Sequence, residues 1–426
     1  MKKVYVSLAV ATSLAVSMNA AEINPFGHLG AFYHQGLGGM GVLDKNGKEV
    51  QAAYANVSAR AGIDIGLGSN ISIGLGGWGG YPFYSTGFNP SSGDEDLVGE
   101  SAFPKKGDVS DAYVRYDGTT LSFALGRFDM GEFFLGKAKD SETKSYTGVD
   151  WIYGNVQGGA LNVQGGVMGL WAYWRNSALG AGQAYNRMGY ELSSFDTYQN
   201  YKNSTDIGEL VGAGLDFDFG VVKLSPFVSY LTDVNTSVDS VKNTNGVDDV
   251  LNAGAKAQIE LGSGNLKSIT TLRAVYGTSN ITGKGNSTNG LTFWADEELR
   301  FNDIFKFGAG YVSQDENSNL LDFGNRARFY GYRNGMPNMY GTYGSNLGAG
   351  YGQSTYYVFG GIEAKRVGLD LLWSGGDYKE LSAVGSLKIW ERGDKLYFTV
   401  GAGYIHNEVP AGKDQNSVLA FGKLGF

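Results

Sequence analysis

The chain has 426 residues, a formal net charge of −8, no cysteine and three histidines. Disulfide, zinc-thiolate and iron–sulfur scaffolds are therefore excluded, no metal or other cofactor is expected, and an acidic chain without a basic stripe makes a poor nucleic-acid binder. Glycine stands at 67 against proline at 7, with 27 tyrosines and 23 phenylalanines, a mix that disfavours helix and suits aromatic-rich β-structure with many turns.

The chain opens with a basic Met1-Lys2-Lys3, an apolar stretch from Val4 to Val16 and small residues at Ala20-Ala21. This is the pattern of a secretory signal peptide over residues 1–20, leaving 21–426 as a single domain. Beyond it no run of about 18 apolar residues occurs, so a membrane location requires a barrel of strands rather than a helix.

Period-two alternation follows along the chain. From Ala55 to Leu67 the odd positions Ala55, Val57, Ala59, Ala61, Ile63, Ile65 and Leu67 are apolar, and Asn56, Ser58, Arg60, Gly62, Asp64 and Gly66 stand between them. Alternate side chains of a strand point to opposite faces, so one face is greasy and the other polar. The pattern recurs over Val211–Phe219 and Leu251–Leu261. Eighteen strands are predicted, near 27–35, 52–67, 70–80, 109–117, 120–128, 148–157, 160–173, 208–219, 221–231, 250–261, 265–276, 290–301, 304–313, 354–365, 367–375, 380–390, 395–405 and 416–426. Strands of this length match the roughly 9–11 tilted residues that a bilayer demands.

Tight turns are predicted at Gly68-Ser69, Asp117-Gly118, Gly158-Gly159, Gly220, Gly262-Ser263-Gly264, Asn302-Asp303, Lys365-Arg366 and Arg392-Gly393. They alternate with mostly long loops at 36–51, 81–108, 129–147, 174–207, 232–249, 277–289, 314–353, 376–379 and 406–415. Short turns at one end and long loops at the other define an all-β transmembrane antiparallel barrel with periplasmic turns and extracellular loops. Trp78, Trp151, Trp171, Tyr173, Tyr230, Tyr276, Tyr311, Trp373 and Tyr404 mark strand ends and read as interfacial girdles. Glu297 breaks the pattern by sharing the parity of Leu291, Phe293, Ala295 and Leu299; a bulge, a subunit contact or a rim position is expected there. Leu372 and Phe359 depart the other way, apolar on the polar parity.

The leader, the eighteen amphipathic strands and the terminal Phe426 on the parity of Val418, Ala420, Gly422 and Leu424 resemble the general porins and, by strand number, the OprD-like substrate-selective porins. The position where the terminal signal usually has glycine holds Phe421. Asp111-Ala-Tyr-Val-Arg115-Tyr-Asp117 and Leu121-Ser-Phe-Ala-Leu-Gly126-Arg127-Phe128-Asp129 resemble the strand–turn–strand element that precedes the family's third long loop. The resemblance implies passive diffusion of small hydrophilic solutes and ions across the outer membrane, with contacts to lipid and lipopolysaccharide. It extends to a preference for carboxylate-bearing solutes and leaves open a homotrimer.

If the apolar parity faces lipid, Arg60, Asp64, Arg115, Lys256, Arg273, Asp296 and Arg300 line the pore. Lys223, Lys306, Lys388, Asp111, Asp216, Asp218, Glu260, Glu298, Glu363 and Asp370 share that parity. By analogy with porins, loop 129–147 is the constriction candidate, with Asp129, Glu132 and Lys137 on it, Arg127 at its root and Phe133-Phe134 as an anchor on the wall. Arg326, Arg328 and Arg333 form a candidate vestibule in loop 314–353. No enzyme is expected: His28, His34 and His406 accompany no nucleophile-elbow motif. The alternative reading is a surface adhesin acting through the long loops.

Overall fold

The computed structural model describes residues 22–38, 41–43, 46, 48–51, 53–86, 106–135, 155–178, 210–231, 247–281, 286–315, 354–377, 379–393, 396–408 and 415–426. Eighteen antiparallel strands form one sheet that closes on itself. In chain order they begin with β1 (Glu22–Gly38), then a small hairpin of β2 (Gly41–Leu43) and β3 (Glu49–Gln51) outside the ring. The ring continues with β4 (Ala53–Gly68), β5 (Ile71–Thr86), β6 (Lys106–Asp117) and β7 (Leu121–Asp129), which runs into a short helix α1 (Met130–Leu135). Next come β8 (Asn155–Gly165), β9 (Met168–Ala178), β10 (Leu210–Asp218), β11 (Val222–Leu231), β12 (Val247–Ser263), β13 (Leu266–Ile281) and β14 (Asn286–Phe301). The circuit ends with β15 (Phe305–Gln314), β16 (Ser354–Glu363), β17 (Val367–Gly376), β18 (Lys379–Arg392), β19 (Leu396–Glu408) and β20 (Gln415–Gly425).

Every ring strand pairs with its sequence neighbours, and β1 closes the ring by pairing with both β4 and β20. The seam is sealed by Gly27 and Phe426, whose amides donate to each other's carbonyls at 2.7 and 3.0 Å. Closure leaves no open sheet edge, the condition for a strand structure to stand in lipid. Pro25 lies in β1 below His28, where pairing with β20 begins, so the residue without an amide sits where one edge has no ladder to feed.

Alternation assigns the faces. Val57, Ile63, Leu75, Val114, Leu125, Val211, Leu251, Leu272, Leu291 and Leu371 are all exposed on the outside of the ring. Their neighbours in alternation point inward and are mostly polar or glycine, with Ala124 and Leu372 as apolar exceptions. An apolar belt outside a polar interior is the arrangement a bilayer selects. Tyr276, Tyr311, Trp373 and Tyr404 are exposed on this outer face and fit the expected girdle. Trp78, Trp171 and Tyr173 do not: all three are buried on the inner face, because period two, not proximity to a loop, decides which way a ring points. Trp151 lies outside the described residues.

One expected connection differs. The turn placed at Gly158-Gly159 lies at Gly166-Val167, between β8 and β9. Gly158 instead sits at a bulge inside β8, where an added Cβ would come within 2.0 Å of the Trp174 carbonyl oxygen. The connection at 376–379 lies between β17 and β18 where the sequence places it, the short one among mostly long loops. The Ser354 amide donates to the Asp377 carboxylate at 2.7 Å, and Gly376 takes φ +103°. At the opposite end Ser69 and Asn70, and likewise Asn302 and Asp303, hold positive φ in short turns, which matches the strand twist of tight hairpins.

Glu297 is neither bulged nor at a rim. It pairs in unbroken register with Thr270 and Ala309, four residues from the end of β14. Two hydroxyls of β13 clamp its carboxylate on the outer face, Ser268 on one oxygen and Thr270 on the other at 2.5 Å.

Candidate functional site

The inner wall carries its charge in pairs. On β4, Arg60 meets Asp111 of β6 through two contacts, Nη2 to Oδ1 at 2.5 Å and Nε to Oδ2 at 2.9 Å. This fork-to-carboxylate geometry is the strongest ordinary ion pair. Ser110 and Asn155 also donate to the Asp111 carboxylate, and the Phe26 ring lies 5.1 Å from the Arg60 guanidinium carbon. The guanidinium is thus fixed against the wall. Asp64, four residues further along β4, accepts from Tyr113 at 2.7 Å and from Ser72 at 3.2 Å. Arg115 pairs with Asp117 at 2.5 Å and faces the ring of Phe133.

Phe133 belongs to α1, and its burial explains why that helix lies inside the barrel. Phe133 and Phe134 are 0% and 2% exposed. They pack edge-on against Phe128 of β7 and against Trp171 and Tyr173 of β9. Burying two phenylalanine side chains contributes roughly 4–5 kcal/mol, enough to hold a six-residue segment that no helix propensity could keep folded alone. The expected anchor on the wall is therefore in place at the root of loop 129–147.

Inward glycines make room for inward rings. Tyr173 and Trp171 lie across Gly212 and Gly214 of the neighbouring strand, and Tyr357 and Phe359 lie across Gly310 and Gly308. In each case a Cβ on the glycine would fall within 2.6 Å of a ring atom. Rings laid flat on the wall stiffen the sheet without filling the lumen. Phe359 and Leu372, the apolar residues on the polar parity, belong to such a patch with Val312 and Tyr357. The sequence carries a signal for it that strand-by-strand reading misses: two glycines at i and i+2 face two aromatics at the same spacing one strand away.

The second charged group spans β13 to β17. Arg273 pairs with Asp296 at 2.6 Å beneath the Trp294 ring, 4.2 Å from its centroid. Trp294 in turn donates to the Tyr357 hydroxyl at 2.8 Å. Arg300 contacts Glu298 and, at 3.8 Å, Glu363. Lys306 bridges Glu363 and Asp370, both at 2.7 Å. Among the residues expected to line the pore, the structure brings together Arg273 with Asp296 and places Arg60, Asp64, Arg115, Lys256 and Arg300 on the inner face.

Arg127 departs from expectation. It shares the parity of Leu121, Phe123 and Leu125, and so stands on the outer face rather than in the pore wall. There its Nε donates to Gln157 at 3.0 Å and its Nη1 to the Val109 carbonyl at 3.0 Å. The motif placed it correctly at the root of the loop; period two sends it outward. Asp129 closes β7 at the start of α1. Glu132 lies on α1, its side chain outside the described residues, as are Lys137, Arg326, Arg328 and Arg333.

The closed ring of eighteen strands with a helix folded inward matches solved structures over almost its whole length. OccK11 (OpdR) of Pseudomonas aeruginosa aligns with a TM-score of 0.58 at 11% identity, covering 95% of this chain and 96% of that one. The chain has the OprD-like porin fold. The outer membrane protein opdK of the same species aligns at TM-score 0.59 and 10% identity over 95% of this chain and 99% of that one. A BenF-like porin from Pseudomonas fluorescens Pf-5 gives 0.60 at 9% over 95% and 99%. No family model and no curated protein matches the chain. At 9–11% identity the likeness is one of fold.

Proposed function

We propose that the protein is an outer-membrane porin through which small hydrophilic solutes and ions diffuse passively. One observation carries the reading: the ring is closed, apolar residues cover most of its outside, and charged pairs such as Arg60–Asp111, Arg273–Asp296 and Lys306–Glu363 face in. Such a wall has no use in a soluble protein, which would bury the apolar face, and suits a water-filled conduit through lipid. The leader at 1–20 supplies the export route, and the outer belt would meet membrane lipid and lipopolysaccharide. The aromatic anchor on α1 supports loop 129–147 as the constriction.

A preference for carboxylate solutes has less behind it. The inward arginines Arg60, Arg115, Arg273 and Arg300 are each already paired with a carboxylate of the wall. The adhesin reading rests on loops outside the described residues, and no described feature favours it.

Swelling of proteoliposomes in isotonic sugars of graded size tests the channel. Swelling that falls with solute radius is expected; proteoliposomes as tight as protein-free ones would refute the proposal.

A further inference from the structure

The outer wall carries an ordered polar patch at the loop end of β19, β20 and β1. Tyr404 of β19 stands in the girdle, and His406 follows it toward the loops on the same outward parity. The Tyr404 hydroxyl donates to the Asn416 carbonyl oxygen of β20 at 2.7 Å, and His406 Nδ1 meets the same oxygen at 2.8 Å. Both contacts fall on the oxygen, so the Asn416 amide nitrogen keeps its two hydrogens to donate.

A second relay adjoins the first. On β1 the Tyr33 hydroxyl donates to Gln35 Oε1 at 2.8 Å, Gln35 Nε2 donates to Gln51 Oε1 of β3 at 3.4 Å, and Gln51 Nε2 donates to the Leu37 carbonyl at 2.9 Å. Val418 of β20 pairs with both Gln35 and Tyr404, so the two relays share one face. Holding exposed side chains in one arrangement costs rotamer entropy, and a ligand that meets them already fixed is spared that cost. Girdle tyrosines elsewhere are not tied in this way. Tyr276, Tyr311 and Tyr356 are exposed, and their hydroxyls bond to no described residue.

The chemistry of the patch is uncharged. Amides, phenols and an imidazole offer donors and acceptors together, and the phenol rings add apolar faces. Lys379 is the only lysine or arginine at the loop end of β18, β19, β20 and β1 among the described residues, and Glu408 takes it at 2.6 Å. A face built for phosphate would hold spare cations in fork geometry. Sugar hydroxyls, which both give and accept, match what is present. The patch continues the apolar belt past the girdle and looks sideways, so it meets the adjoining leaflet rather than the medium.

We propose that the outward loop end of β19, β20 and β1 binds the sugar units of a glycolipid of the adjoining leaflet through Gln35, Gln51, His406 and Asn416. This rests on the reading of the outer wall as lipid-facing, and it names the sugars of lipopolysaccharide, not its phosphates, as the contact.

The test is lipid binding by the purified full-length protein in a sugar-free detergent, followed by native mass spectrometry. The probes are lipopolysaccharide, the same lipopolysaccharide stripped of its phosphates, and phosphatidylethanolamine. Wild type should hold both forms of lipopolysaccharide about tenfold more tightly than phosphatidylethanolamine, and the triple variant Gln35→Ala, Gln51→Ala, Asn416→Ala should lose most of that preference. Its binding of phosphatidylethanolamine and its single-channel current should match wild type. A wild-type protein without preference, a preference that disappears with the phosphates, or a folded triple variant that binds lipopolysaccharide as wild type does would overturn the sugar site while leaving the channel standing. Absence of current from the wild-type protein would instead overturn the porin reading.

Discussion

Tyr113 lays its ring across Gly74 on the inner wall, so close that a Cβ on the glycine would come within 2.1 Å of the ring carbon bearing the hydroxyl. The same hydroxyl donates to Asp64. One glycine thus decides both where a ring lies and how a lumen carboxylate is held.

Gly74→Val should therefore destabilise the barrel by about 1–3 kcal/mol, the usual cost of forcing a side chain into a packed site. Gly165→Val, in the open at the end of β8, should cost much less. Urea midpoints of the two variants in lipid vesicles compare them directly.

The helix α1 depends on two rings. Phe134→Ala removes a side chain packed among Trp171, Tyr173 and Phe133, a truncation that costs about 3–5 kcal/mol when the site cannot collapse. Since α1 roots the proposed constriction, open-channel current should become noisier and its mean amplitude should rise. Unchanged noise would detach the anchor from the conduction path.

Breaking the Arg60–Asp111 pair from one side leaves a carboxylate that is 1% exposed without its cation. Arg60→Met should cost about 3–5 kcal/mol, whereas the double change with Asp111→Leu should recover most of it, because the loss comes from stranding a charge rather than from losing attraction. A double-mutant cycle on unfolding free energy measures this.

Glu297 makes the opposite prediction. A charge on the lipid face is destabilising, less so for an acid than for a base, and the Ser268 and Thr270 hydroxyls offset part of that. Glu297→Leu should raise stability by about 1 kcal/mol if lipid covers this wall. A drop in stability would mean that the carboxylate has a partner there.

The sequence already holds most of the architecture. Period two at Ala55–Leu67 and its repeats sets strand number, faces and the side of the turns, because a membrane barrel leaves a strand little choice of which parity meets lipid. It also places Arg273, Asp296, Arg300 and Glu363 on the inner face. Pairing escapes it: Arg60 and Asp111 lie 51 positions apart, and which acid an arginine selects depends on register across intervening strands. The same holds for Trp171 and Tyr173, whose nearness to a loop reads as a girdle until Gly214 and Gly212 are seen beside them. Gly158-Gly159 misleads for a related reason, since glycine serves close strand approach as readily as a turn.

Single-channel recording of the purified protein in a planar bilayer tests the central claim most directly. Discrete current steps with conductance rising in proportion to salt are expected of a water-filled ring. Correctly folded protein that inserts and leaves the membrane electrically silent would contradict it.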